Sequence, residues 1–578
     1  MQTTEMASLH SATSFLNSLF LEWRNFNYQK DENALHVDLG DEKLIIPLRK
    51  YSTLGRHHYT GKFFILKDQQ KIQVEFLALA KKISEHLAIE FKTDKTQLEN
   101  FLARVENSVQ NIGHSLDKRL SDLEGIFQGQ IDFKAAEQAL FVGHTFHPTP
   151  KSRGEFSDAD FNKYSPEMAG IFPLEWMLVA DELVFQKFSQ NFNEPHWLTD
   201  IFSKEFYDTE SALKKLKDGY TPFPIHPWQK KYILAHKDIK SYVAREKIVF
   251  LNESQKHWYP TSSLRTLFGP HADYMLKFSM NVRLTNSMRQ LLVHELDRGL
   301  QVHDVFTHAE GQKFLAKNPQ FEVIYEPVYA GIKDASGDPI QETLIVGRFN
   351  PFKMKSESVV LATLTQDHPH FENSLIQYYV RELSTEKKLT VAEASLKWFE
   401  AFLTSSVAPL IDAQANYGIL LGSHQQNMVI EMRGHLPAKS YFRDCNGTGY
   451  SPLGHSLFGK EIKSLTLENG NILDEEVTSY LFGYYIIINS TFNTMSSLAH
   501  TGWISEEKLI ETFRTFLLDF KAQAPKDSSF IDYLLSAEFL MHKGNFLCSF
   551  KNINENTEKN PLSIYTKISN PLFKAQPL

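Results

Sequence analysis

The stretch PTSSLRTLFGPHADYMLKFSMNVRLTNSMRQLLVHEL, residues 260–296, reads as loop, strand, turn and helix. Tyr274, Leu276, Phe278, Met280, Val282 and Leu284 alternate with Lys277, Ser279, Asn281 and Arg283, the period of a strand with one wet face. That pattern points Lys277 toward solvent or a cleft. Thr285 or Asn286 is suited to cap a following helix, which puts Arg289 in its first turn, where free N–H groups and the dipole favour anions. Ahead of the strand, TSSLRT crowds Ser263, Thr266 and two further hydroxyls around Arg265. Hydroxyl donors, a lysine and two arginines about one strand suit a polyphosphate or polycarboxylate. An exposed strand behind a Ser/Thr-rich loop would read the same way.

The rest of the chain bounds the alternatives. Its 578 residues suggest three or four units, and 42% hydrophobic with 22% charged residues describes packed domains. A net charge of −8 leaves no basic field for a nucleic-acid backbone. Two cysteines, Cys445 and Cys548, are too few for a disulfide framework or a thiolate zinc site, which fits the cytoplasm. The amino-terminal MQTTEMASLHSATSFLNSLF has no signal-peptide core. The most apolar run, YLFGYYIIIN at 480–489, falls short of the roughly 20 residues that span a bilayer and reads as a buried helix. No membrane partner is expected.

An α+β architecture in three lobes follows from the element pattern. Residues 1–142 read as mostly helical, with one hairpin at LHVDLGDEKLIIPL (35–48). Residues 143–373 carry the alternating, proline-rich and aromatic runs of a β-rich lobe. Residues 374–578 return to helices, interrupted by a hairpin.

Two motifs flank the central stretch. In GHTFHPTPKSRGEF (143–156), His144 and His147 have zinc-like spacing, but Pro148 and Pro150 forbid the helix that would align them, and Glu155 is the sole carboxylate nearby. Lys151 and Arg153 instead suit an anion, with a purely structural loop as the other reading. In GSHQQNMVIEMRGHLPAKSYFRDCNGTG (422–449), an antiparallel hairpin would bring Asn427 nearly opposite Asp444, with His424 and Gln426 just before it. An Asn and an Asp at one hairpin end is how kinases hold magnesium on a nucleotide. A kinase acting on a hydroxyl also needs a carboxylate base about five residues before that asparagine. Gly422 stands there. A carboxylate acceptor is already an anion and needs no base, so the gap points to carboxylate activation.

Six motifs in order, GHTFHPTPK, HPWQ, PTSSLRT, KFSMNVRLTNSMR, SHQQN and RDCNGTG, resemble those of NRPS-independent siderophore (NIS) synthetases, the IucA/IucC aerobactin-synthetase family. The resemblance implies a cupped hand with a helical thumb, antiparallel β-rich fingers and a helix-rich palm distantly similar to kinase-like ATP-binding folds. It implies ATP-dependent adenylation of a carboxylate, most often citrate, release of pyrophosphate and condensation with an amine or hydroxyl acceptor, and allows a homodimer. Carried over, His144, Lys151, Ser263, Arg265, Thr266 and Lys277 would contact ATP phosphates, with Arg289, Gln426 and Asn427 also at the nucleotide. Asp444 and Asn427 would hold Mg²⁺. Thr285, Arg289 and His424 would hold the carboxylate, with Asn286 as a further donor, and Arg289, Lys277 and His424 would carry catalysis. Two positions depart from the family pattern: Thr145 replaces a proline, and Gly422 stands where many members have glutamate. The competing functions are a phosphotransferase releasing ADP and a non-catalytic binder of citrate or a ferric chelate.

Overall fold

A computed structural model describes residues 2–574 other than 69, 209, 211, 212, 252, 353–356, 371, 372, 555, 556 and 559. The amino-terminal helix Thr3–Glu22 packs on Phe76–Glu90 and Lys95–Arg119 around a core that includes Phe15, Phe76 and Phe101. Asp94 caps the longest of these, its carboxylate accepting from the Gln97 N–H at 2.9 Å. The expected hairpin is present as Ala34–Asp38 against Lys43–Lys50. It is part of something larger, a six-stranded antiparallel sheet within residues 26–74. The sequence reading missed its outer strands because Gln70–Val74 is almost entirely exposed and its brief Ile72/Val74 alternation runs directly into the helix that begins at Phe76.

The chain's far end returns to this lobe. Helix Asn545–Lys551 inserts Phe546 and Phe550 into the same core, and the Glu22 carboxylate accepts from the N–H groups of Phe546 (2.7 Å) and Leu547 (2.8 Å). Burial pushes the Glu22 carboxyl up to about 8.

The middle of the chain builds a seven-stranded antiparallel sheet in the order Phe172–Pro173, His257–Pro260, Thr266–Phe268, Tyr274–Phe278, Ile345–Phe349, Val328–Ile332, Val184–Phe188. Tyr274–Phe278 is central and buried on both faces, so its lysine is not on a wet face: Lys277 is 0% exposed. The strand ends at Phe278, and Met280, Val282 and Leu284 belong to the segment beyond it. The helix expected at residue 285 is also absent there. Arg283–Leu284 pairs with Ser287–Met288 as a hairpin, extended by Met280 N–H to Arg289 O (3.0 Å) and Arg289 N–H to Val282 O (2.9 Å); the helix begins at Val293. Thr285, at φ +55°, makes the tight turn that a helix cap would not.

The carboxy-terminal part is mainly helical, with a four-stranded sheet Phe321–Val323, Leu436–Phe442, Met428–Arg433, Ser358–Val360. Met428 pairs with Phe442, so the hairpin is as expected but sets Asn427 against Arg443, one residue from Asp444. The apolar run at 480–489 is a buried helix, as its composition predicts, wound from Gly483 as a π-helix. No described helix is long and apolar enough to cross a membrane.

Candidate active site

The seven-stranded sheet, the hairpin at 283–288, the loop at 143–151 and the turns bounding the hairpin of Met428–Arg433 and Leu436–Phe442 meet around four buried or half-buried charges. Lys277 forms a close ion pair with Asp444 and lies 3.4 Å from Glu326. Arg348 grips the same Glu326 oxygen through Nε (2.9 Å) and Nη2 (2.6 Å) and approaches Asp444 at 3.8 Å. With its amide oxygen turned to the amine, Asn446 accepts from Lys277 (3.2 Å) and donates to Glu326 (2.9 Å). Two cations and two anions make this tetrad neutral, the condition for burying four charges together. Burial alone would raise the Asp444 carboxyl, but Lys277, Arg348 and Arg265 hold it well below the usual carboxylate range.

Arg289 lies beside the tetrad, close enough to feel Asp444 and Arg265. Its Nη2 donates to Leu284 O (3.3 Å) and Thr285 Oγ1 (3.2 Å), while its buried Nε has no protein partner. Burial, then Arg265, brings the guanidinium down to about 10, so it stays charged. Arg265 in turn donates to the carbonyl of Arg289 at 3.1 Å. A buried donor left without a partner is what a bound anion would satisfy. Leu264, Thr285 and Asp444 all hold positive φ without being glycine, so backbone strain gathers around this cleft.

The histidine loop is not helical but a run of turns, at 145–146 and 150–151, a conformation its prolines allow. His147 accepts from the Thr149 N–H through Nδ1, which leaves its Nε2 proton to bond the Asn286 carbonyl oxygen at 3.1 Å. Asn286 is thereby fixed at the hairpin tip, and its oxygen is taken. His144 accepts from Phe146 N–H and meets Asn489 at 3.3 Å. Lys151 and Arg153 are not both open cations: they share the buried Glu167, at 3.4 and 3.5 Å. Burial lowers the Lys151 ammonium to about 8.

Arg443 and Glu137 form a buried two-pronged pair (2.6 and 3.1 Å) that locks the loops together. Glu137 also accepts from Ser262 N–H and Oγ, while Gln426 donates to Ser262 O (2.7 Å) and accepts from Arg443 through its carbonyl. Ser263 bonds Thr261 Oγ1 and the Thr266 N–H, shaping its own loop, and the buried Thr266 hydroxyl is unpartnered. Asn427 donates to Gly422 O at 3.0 Å, leaving its amide oxygen for a ligand. His424, half-buried beside Tyr485, is drawn down to about 3 by burial and is a neutral imidazole.

Residues 132–366 match the IucA / IucC family, and residues 396–558 match the ferric iron reductase FhuF-like transporter family. N(2)-citryl-N(6)-acetyl-N(6)-hydroxylysine synthase of Vibrio mimicus is 34% identical over 98% of this chain and 96% of its own. The chain belongs to the IucA/IucC family. A second IucA/IucC relative, the spermidine-citrate ligase of Bacillus anthracis, is 29% identical over 90% of this chain and 87% of its own. The ATP-bound aerobactin synthetase IucA of Klebsiella pneumoniae superposes with a TM-score of 0.92 at 31% identity, over 98% of this chain and 100% of that one. Both cysteines of the chain, Cys445 and Cys548, fall within the FhuF-like match, two short of the four thiolates that hold an iron–sulfur cluster.

Most of the residues expected from the sequence converge on this cleft. Glu326, Arg348, Asn446, Glu137 and Arg443 were not among them. Two carried a readable signal: Arg348 interrupts LIVGRF and Glu326 interrupts VIYEPVY, each a lone charge in an apolar run, which a buried partner must explain. Away from the cleft, His58, Asp367 and His500 are the one described trio close enough to share a metal ion. Arg56 already holds Asp367 at 2.9 Å and His500 meets His58 at 3.0 Å, so they read as a polar network joining the first lobe to the palm.

These buried neutral histidines predict acid lability. His144 sits at about 4 and His226, His424 and His542 at about 3, all from burial. The unfolded chain takes up protons below about pH 6.5 while the folded one refuses them, so stability is lost as pH falls from about 6.5 toward 4, by up to about 1.4 kcal/mol per pH unit for each fully buried histidine. Thermal melting should fall from about pH 6.5 to about pH 5, where the four histidines outweigh Glu22, whose raised carboxyl takes up a proton in the folded chain as pH falls from about 8 and opposes the loss by one group's share. A melting temperature unchanged at pH 5 would contradict the neutral assignment.

Proposed function

We propose that this chain is a siderophore synthetase that activates citrate with ATP as an acyl-adenylate, releases pyrophosphate, and passes the citryl group to an amine or hydroxyl acceptor. The observation that carries the reading is the cluster of Arg289, Arg265 and Lys277 beside the strained 283–288 hairpin, in which Arg289 keeps its charge and a buried N–H without a protein partner. Family membership and the citrate-linking names of the relatives support the substrate.

In the first step a citrate carboxylate oxygen attacks the α-phosphorus of ATP, and the bond to the β-phosphate breaks with its electron pair leaving on pyrophosphate. No proton moves. The protein's work is to hold two anions together, with Arg289 spanning the carboxylate and phosphorus, and Arg265, Lys277, Ser263, Thr266 and His144 at phosphate oxygens. Neutral His424 then serves as a hydrogen-bond donor to the carboxylate rather than as a cation, alongside Thr285. In the second step the acceptor's nitrogen or oxygen attacks the acyl carbon, AMP leaves, and the acceptor's proton passes to solvent.

Magnesium fits as an ion brought with the nucleotide. Asp444 and the free amide oxygen of Asn427 are hard oxygen ligands, whereas the neutral tetrad has no spare negative charge to hold an ion without phosphates. Bound there, the ion supplies neutralisation of phosphate charge. We also read the architecture as the cupped hand of the family, with thumb 1–142, kinase-like palm 374–578 and fingers between, in a cytoplasmic enzyme. Incubation with Mg-ATP, a panel of carboxylates and hydroxylamine tests the function: pyrophosphate and AMP forming with citrate support it, and ADP as the nucleotide product would replace it with phosphoryl transfer.

A further inference from the structure

Behind the hairpin lies a cavity of about 770 Å³, walled by one face of helix Lys95–Arg119, the loop at 149–155, the hairpin and the end of helix Asn545–Lys551. Thr285, the residue bonded to Arg289, is on its wall, so cavity and anion pocket share a partition. Along the helix it is lined by Gln97, Asn100, Arg104 and Asn107, one turn apart on one face over about 15 Å.

The charges in this cavity are unbalanced. Arg104 donates to Ser549 O (2.6 Å) and Arg283 to Asn552 Oδ1 (2.7 Å), both neutral acceptors. Among the described residues neither guanidinium has a carboxylate within 4 Å. The two carboxylates on the wall accept backbone N–H groups, Asp94 from Gln97 and Glu155 from Arg283 at 3.2 Å, and keep their charge, so three cations on the wall face two anions. The two arginines are close enough to repel; burial, then that repulsion, lowers Arg104 to about 10, and Glu155 opposes the drop. Lys551 adds a third cation.

We propose that this cavity is the acceptor site and that Arg104 and Arg283 select an amine bearing its own carboxylate, an amino acid, over a polyamine. The inference rests on the citryl-transfer reading above. The acceptor's carboxylate would sit between the guanidiniums with its amine directed past Thr285 toward the activated citrate. A second ammonium in place of the carboxylate would meet like charge and lose the charge-assisted bonds.

The test compares kcat/KM for L-lysine and cadaverine, which differ by the carboxylate, in citrate- and ATP-dependent amide formation. Wild type should prefer lysine by about 100-fold, the scale of two charge-assisted bonds. Arg104→Ala should cut the ratio at least tenfold and Arg104→Lys should retain more of it, the ratio being read on variants whose circular dichroism matches wild type. Citrate-dependent exchange of pyrophosphate into ATP is followed separately in the wild type. Exchange with equal use of the two amines, or a ratio untouched in Arg104→Ala, overturns this proposal alone, whereas no exchange with citrate overturns the proposed function and this inference with it.

Discussion

Arg289→Ala is expected to lower citrate-dependent pyrophosphate release by about a thousandfold while leaving the fold in place. The magnitude is that of removing a charged donor aimed at developing charge in a water-poor site. The guanidinium keeps its charge in the cleft and has a buried Nε with no protein partner. Arg56 and Arg153 also leave a buried Nε unpartnered, but each pairs with a carboxylate, Asp367 and Glu167, whereas among the described residues Arg289 has no carboxylate within 4 Å. Its other contacts, to Leu284 O and Thr285 Oγ1, hold the strained turn, so part of the loss will come through Thr285. Arg289→Lys separates the parts. Lysine restores charge without the planar fork, and its rate should stay within about tenfold of the alanine variant if the fork matters. An alanine variant within tenfold of wild type, with unchanged circular dichroism, would remove Arg289 from the reaction.

The sequence made the cleft's inventory legible because its chemistry is local. Lys277, Arg289, His424 and Asp444 lie in short motifs, and their types alone select anions and hard ions. It misplaced their setting where tertiary contacts decide conformation. The alternation from Tyr274 to Leu284 is real, yet the strand stops at Phe278 because the seven-stranded sheet supplies partners only that far, and the remainder folds on itself. Asn286 had the composition of a helix cap, and only His147, 139 residues away, shows why it sits at a hairpin tip instead. The exposed sheet strand at 70–74 offers only Ile72 and Val74 as a pattern, too short to stand apart from the helix that follows at Phe76. Likewise the pairing of Lys151 with Glu167 depends on a short turn that no local pattern links to the histidine loop.

Glu326→Ala should be the most destabilising single change in the cleft. The side chain is 1% exposed and its carboxylate faces Arg348, Lys277 and Asn446. Deleting it leaves two cations, at 2% and 0% exposure, sharing Asp444 alone, and breaking a buried pair in this way costs about 3–5 kcal/mol. The transition in which the seven-stranded sheet melts should fall by about 10 °C, at roughly 2–4 °C per kcal/mol. Glu326→Gln, which keeps the shape and one acceptor oxygen, should lose distinctly less. Melting of the alanine variant within 2 °C of wild type would mean that the tetrad is not a unit. The distinction bears on function. Lys277 is held between two carboxylates, so a triphosphate must win it from Asp444 while Glu326 keeps the ammonium in place. If Glu326 is that anchor, Glu326→Gln at a temperature where it is folded should weaken ATP binding more than it slows turnover at saturating ATP, because what it loses is the position of the lysine before the nucleotide arrives.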